Sequence, residues 1–88
     1  MNQEKEILDN LYISTGGSYW KSSKNWTEPG VPICQREGVF CEVNQWGDSG
    51  VSELRLNGYG LQGLIPSEIF QLPSIRLLGF TNNNVGWI

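Results

Sequence analysis

The side chains that could do chemistry in this sequence are few, because it contains no histidine. That removes the commonest general base and the commonest metal ligand together. Glu4, Glu6 and Asp9 cluster near the start, and paired carboxylates can perform acid–base work. An exposed helical face accounts for them more simply. Cys34 and Cys41 are too few for a structural zinc site. They can bridge each other or stand as a reactive thiol pair, and their spacing does not decide between the two. Asp48-Ser49-Gly50 resembles part of a calcium loop whose remaining ligands are missing. Gly58-Tyr59-Gly60 is no phosphate loop, since neither a Lys-Ser/Thr pair nor a helix follows it. No nucleophile has a base to activate it. The expectation is a binding scaffold with no catalytic site, no metal and no cofactor.

Two further signals concern recognition. Asn25-Trp26-Thr27 is a glycosylation sequon, with Asn25 the acceptor. Trp20, Trp26 and Trp46 could stack on a sugar; packing beneath their own loop is the plainer reading for the first two. Six Lys plus Arg against nine Asp plus Glu give a net charge of −3. Such a balance lacks the basic patch that nucleic acids and anionic membranes require. No apolar run approaches the roughly 20 residues of a membrane span. The polar, mixed-charge start, Met1 to Glu6, is no signal peptide; the leader of a secreted protein would be absent from this chain.

The elements that must position these residues are modest. With 88 residues, one small domain with a small core is the most that can form. Ile7, Leu8, Leu11 and Tyr12 predict a helix over 3–14, capped by Asn2 and ended by Gly16-Gly17. Residues 18–33 read as irregular. Val39 to Val43 and Val51 to Leu56 read as the strands of a hairpin, joined by a polar turn over 44–50. Trp46 stands at its tip, exposed or folded back.

From residue 51 a longer period takes over. Val51, Leu54, Leu56 and Leu61 have apolar counterparts 24 residues on, at Ile75, Leu78, Phe80 and Val85. A pattern that survives such a translation predicts units that stack on one another. Leu54-Arg55-Leu56 and Leu78-Gly79-Phe80 would be short parallel strands with Arg55 and Gly79 outward. The Asn83 amide would bond free backbone groups where the chain leaves the strand. Tyr59 holds the matching place in the first unit. Pro66 would open a helical turn over Ser67 to Gln71.

Leu54-x-Leu56-x-x-Tyr59-x-Leu61-x-Gly63-x-Ile65-Pro66 resembles the plant-type leucine-rich repeat with its Leu-x-Gly-x-Ile-Pro hallmark. The preceding Leu8-x-x-Leu11-Tyr12, Thr15-Gly16-Gly17, Trp20, Asn25-Trp26 and Cys34-x-x-x-Gly38-Val39-x-Cys41 is similar to that family's N-terminal cap. The resemblance implies an α+β chain: a fragment of a right-handed α/β solenoid whose cap is a helix and a disulfide-bonded hairpin. Residues 1–50 would be the cap, 51–74 a first repeat and 75–88 a truncated second one. It implies a Cys34–Cys41 bridge, and with it an extracellular or cell-surface location. Arg36 stands where the family's cap has tryptophan, so the cap should pack differently.

The function so implied is to shield the solenoid's end and support a concave face that binds a protein or peptide. Glu53, Arg55 and Asn57 would line that face beside Leu77, Gly79 and Thr81. Leu77 would offer an apolar contact or be covered by a neighbouring unit. Further repeats are expected beyond Ile88, and no nucleic-acid or membrane contact within these residues. A purely structural wall or adhesion module is the alternative, and sugar binding through the cap tryptophans a weaker one.

Overall fold

The computed structural model describes residues 2–87, Asn2 by its backbone alone; the capping expected of the Asn2 side chain lies outside the described residues. The fold is α+β. Helix α1 spans Asn2–Ser14 and ends, as the sequence predicts, at Gly16 in the left-handed region (φ 68°). The Leu11 carbonyl there accepts from both the amide and the hydroxyl of Thr15. Ile7, Leu8 and Leu11 are buried, each contributing about 1.5–3 kcal/mol of apolar burial.

Strands β1 (Val39–Val43) and β2 (Ser49–Arg55) form the expected antiparallel hairpin, with a register shift between Phe40 and Cys41. The turn is shorter than the polar stretch predicts. The Asn44 side chain accepts from the amides of Trp46 and Asp48, so Ser49 and Gly50 are released into β2. Trp46 at the tip is exposed.

Strand β3 spans Gln62–Ile65, β4 Leu77–Gly79 and β5 Asn84–Trp87, with a 3-10 turn at Ser67–Gln71 between β3 and β4. β4 adds to β2 in parallel, Glu53 opposite Leu77, Leu54 opposite Leu78 and Arg55 opposite Gly79. Each pair is 24 residues apart, the period read from the sequence. β3 and β5 form a second parallel sheet, in which Gln62 faces Asn84 and Ile65 faces Trp87. Here partners lie 22 residues apart, two fewer than in the first sheet. The sequence gives no sign of this sheet, because a four-residue strand with a glycine in it has neither alternation nor β-propensity.

That glycine has a steric reason. Gly63 (φ 101°) passes so close to the end of α1 that a β-carbon there would lie 2.5 Å from the Ser14 carbonyl oxygen. The contact is fixed by Gln62 N–H donating to the Thr15 carbonyl at 3.1 Å. α1 thereby closes one end of a core built from Val51, Leu54, Leu56, Leu61, Ile65, Ile69 and Leu72.

The irregular stretch after α1 is held by aromatic packing. Trp20 meets Tyr12 and Trp26 edge-on, at centroid distances of 5.1 and 4.9 Å, and Tyr12 stacks on Trp26 at 5.9 Å. Each indole N–H finds a carbonyl, Trp20 that of Thr15 and Trp26 that of Glu37. Cys34 and Cys41 are disulfide-bonded, Cα–Cα 5.8 Å, and the bridge ties the end of this stretch to β1. Closing so short a loop contributes about 2–3 kcal/mol on the chain-entropy estimate.

The acidic cluster on α1 is not a plain solvated face. Glu4 accepts from the Val51 amide at 2.8 Å, which holds the helix to β2. Asp9 pairs with Lys5 and with buried Arg36, both at 2.8 Å. Burial alone would raise the Asp9 pKa, but hydrogen bonds from Lys5 and Arg36 outweigh it and hold it below the usual carboxylate value. Only Glu6 stays exposed without such a tie among the described contacts. Partners this distant in sequence leave no local pattern.

Candidate functional site

The six candidate residues come together on and beside one face of the β1-β2-β4 sheet. Alternation along β2 buries Leu54 and turns Glu53 and Arg55 to the opposite side. Glu53 is nonetheless covered, only 7% exposed. Arg55 Nε donates to one of its oxygens at 2.6 Å, and Arg76 Nη2 forms an ion pair with the other at 2.8 Å. The hydrogen bond from Arg55 is the main reason its pKa falls below the ordinary value, and it outweighs the partial desolvation. Arg76 also reaches Glu42 on β1 at 2.9 Å. The Arg55 guanidinium lies over the Phe40 ring, 5.3 Å from its centroid.

At the far side of the face Gly79 is buried beneath a side chain. Asn57 Oδ1 accepts from the Thr81 amide at 2.8 Å, which lays the Asn57 amide across Gly79. A β-carbon on Gly79 would meet it at 3.1 Å, so a larger residue would displace the amide. Leu77 is 37% exposed and Phe40 49%. The face therefore offers two apolar side chains flanking a neutralised set of two arginines and two glutamates.

Phe40, Glu42 and Arg76 belong to this face and went unread in the sequence. Phe40 was not within reach of inference, because it comes opposite Glu53 only through the register shift between Phe40 and Cys41. Arg76 precedes β4, where strand alternation says nothing about direction.

Asn83 behaves as its position predicts. Its Oδ1 accepts from the amides of Gly60 and Leu61 at 2.9 and 3.1 Å, and its Nδ2 donates to the carbonyls of Leu56 and Phe80 at 2.8 and 3.1 Å. Tyr59 at the matching earlier place does different work: its hydroxyl donates to Glu37 at 2.9 Å. Glu37 also accepts from the Ser22 hydroxyl and the Lys24 amide, and these bonds, Ser22's foremost, lower its pKa. Burial, with the Glu37 bond added, raises that of Tyr59.

Trp20 and Trp26 are buried while Trp46 is exposed, so the three do not form a common platform for a sugar. Asn25 has φ 69° and its Nδ2 donates to the Gln35 carbonyl at 2.9 Å. Among the described residues no group of three or more acids and cysteines stands close enough to hold a metal ion. No described helix is long and apolar enough to cross a membrane. No family model and no curated protein matches this chain.

Proposed function

We propose that this chain is the N-terminal cap and first one and a half units of an extracellular leucine-rich repeat protein. On this reading its function is to seal the start of a solenoid and to begin a concave face that binds a peptide or protein. The observation that carries the reading is the 24-residue step between β2 and β4 together with the Asn83 amide, which bonds the Leu56 and Phe80 carbonyls on the two sides of that step. A repeating chain stacks its units through such a device. The disulfide accords with an oxidising compartment.

The two ends of the core agree with a direction of growth. α1 covers one end. At the other, β4 and β5 present free strand edges, and Ile75, Leu78 and Val85 are only half-buried, an arrangement that invites a further strand pair. The test is the behaviour of residues 1–88 expressed alone. Concentration-dependent self-association in analytical ultracentrifugation, abolished by appending one closing unit with a polar outer face, supports the reading. A monodisperse, cooperatively unfolding monomer whose stability does not rise with the added unit overturns it.

A further inference from the structure

Of the asparagines in this chain, only Asn57 is followed by glycine. Each has a local role: Gly58 turns the chain at φ 70°, and the Asn57 amide lies across Gly79. Side by side they also form a reactive pair. The glycine nitrogen has no side chain beside it, so it can approach the asparagine Cγ without hindrance. Asn57 is exposed and Gly58 half-buried, so water reaches both. Two bonds to a single residue stand against the reaction. Gly58 N–H donates to the Thr81 carbonyl at 2.9 Å, and Asn57 Oδ1 accepts from the Thr81 amide at 2.8 Å. Ring closure needs the Gly58 nitrogen to lose its proton and the Asn57 Cγ to turn onto it. The first change breaks one bond to Thr81 and the second breaks the other.

We propose that Asn57–Gly58 is a site of spontaneous covalent modification, held in check by the Thr81 backbone and released when the 75–87 segment parts from β2. Once freed, the Gly58 nitrogen gives its proton to hydroxide and attacks Asn57 Cγ. The bond from Cγ to Nδ2 breaks, and the amide nitrogen takes up a proton from water and leaves as ammonia. Water then opens the five-membered succinimide at either carbonyl. One opening gives aspartate; the other gives isoaspartate, whose main chain runs through the former side chain. The 75–87 segment is the side of the clamp that opens first. Leu78 and Val85 are half-buried, whereas Leu54 and Leu56 are fully buried, and a segment with fewer buried contacts opens at lower cost. Isoaspartate lengthens the main chain by one carbon between strand and turn, so Thr81 cannot re-form both bonds. It also adds a negative charge to a face whose arginines and glutamates balance. The isoaspartyl product thus fixes an opening that was reversible. The inference needs only the β2–β4 pairing and does not rest on the repeat reading.

The test is to age the chain in mildly alkaline buffer, dilute enough to keep it monomeric, and to map its tryptic peptides at intervals. Cleavage after Arg55 and Arg76 releases residues 56–76, in which Asn57 is the sole asparagine. Its mass reports deamidation, and enzymatic methylation of isoaspartate reports the rearranged product. Conversion should be at least about tenfold slower in the folded chain than in guanidinium chloride. Leu78→Ala should speed it about fivefold in the folded chain. Ile7→Val, a loss of similar size in the buried face of α1, should leave the rate unchanged. Equal rates in the folded and unfolded chains would show that Thr81 protects nothing. Equal acceleration by the two variants would make the release a global unfolding. Either result overturns the proposal, as does a Leu78→Ala rate equal to the parent's or an absence of conversion in the unfolded chain.

Discussion

The 51–74 and 75–87 stretches carry the same apolar pattern and reach different states of burial. Val51, Leu54, Leu56 and Leu61 have no exposed surface at all. Of their counterparts, Phe80 is 9% exposed, while Ile75, Leu78 and Val85 are half-buried. The side chains are of similar size, so the difference comes from what lies against them. The first stretch is sandwiched between α1, β1 and the second stretch; the second stretch has a neighbour on one side. A repeated pattern thus specifies which way side chains point, and the neighbours decide how much each contributes.

Leu54 and Leu78 sit opposite each other in the parallel pair and make the sharpest test of that difference. Leu54→Ala should cost about 2–5 kcal/mol, the range for a fully buried leucine. Leu78→Ala should cost about 1 kcal/mol, because part of its surface is already in water. Urea midpoints of the two variants decide the matter. Equal losses would mean that the second stretch is packed as tightly as the first and that the open end is covered in solution.

These two leucines also mark what could be read in advance. Period and register follow from side-chain type, so the α1 face, the hairpin and the 24-residue step of the first sheet were legible. The disulfide pairing came from the resemblance and not from spacing. The second sheet was not legible, since β3 exists through its pairing with β5 and through a glycine that permits close approach to α1. Nor were the uses of Glu4, Asp9 and Arg36, whose partners lie between 27 and 47 residues away. On the candidate face, alternation along β2 gave Glu53 and Arg55, but it could not foresee that Arg76 would reach across to cover Glu53.

Asn83 and Tyr59 extend the comparison to polar side chains at matching places. Asn83→Ala strands amides and carbonyls of two segments at once and should cost about 1–3 kcal/mol. Tyr59→Phe loses one hydrogen bond to a half-exposed carboxylate, and solvent screening holds that cost to about 1 kcal/mol or less. Chemical denaturation of both variants orders them. A costlier Tyr59→Phe would show that the tie between the irregular loop and the first stretch, and not the amide between the stretches, is the main polar clamp.

Acid separates the two stretches by a different route. Asp9, Glu37 and Glu53 all have lowered pKa values, whereas residues 75–88 contain no acidic side chain. A carboxyl whose folded pKa lies below its unfolded value lends stability that is complete above the unfolded value and is lost as pH falls through the folded one. The unfolded reference values are 3.8 for Asp9 and 4.5 for Glu37 and Glu53. Stability should therefore hold down to about pH 5 and decline below it. The loss should begin where these groups act: in the loop tied by Glu37, at the α1–Arg36 contact of Asp9, and on the β2 face of Glu53. Hydrogen exchange read residue by residue should show amides of the 20–37 region opening before those of β5 as pH is lowered, after correction for the intrinsic rate. Glu37→Gln removes one of the three titrations and should flatten the melting temperature against pH while lowering it at pH 7. A variant whose curve runs parallel to the parent's would mean that Glu37 contributes no pH-dependent stability and that the loop is held by its tryptophans alone.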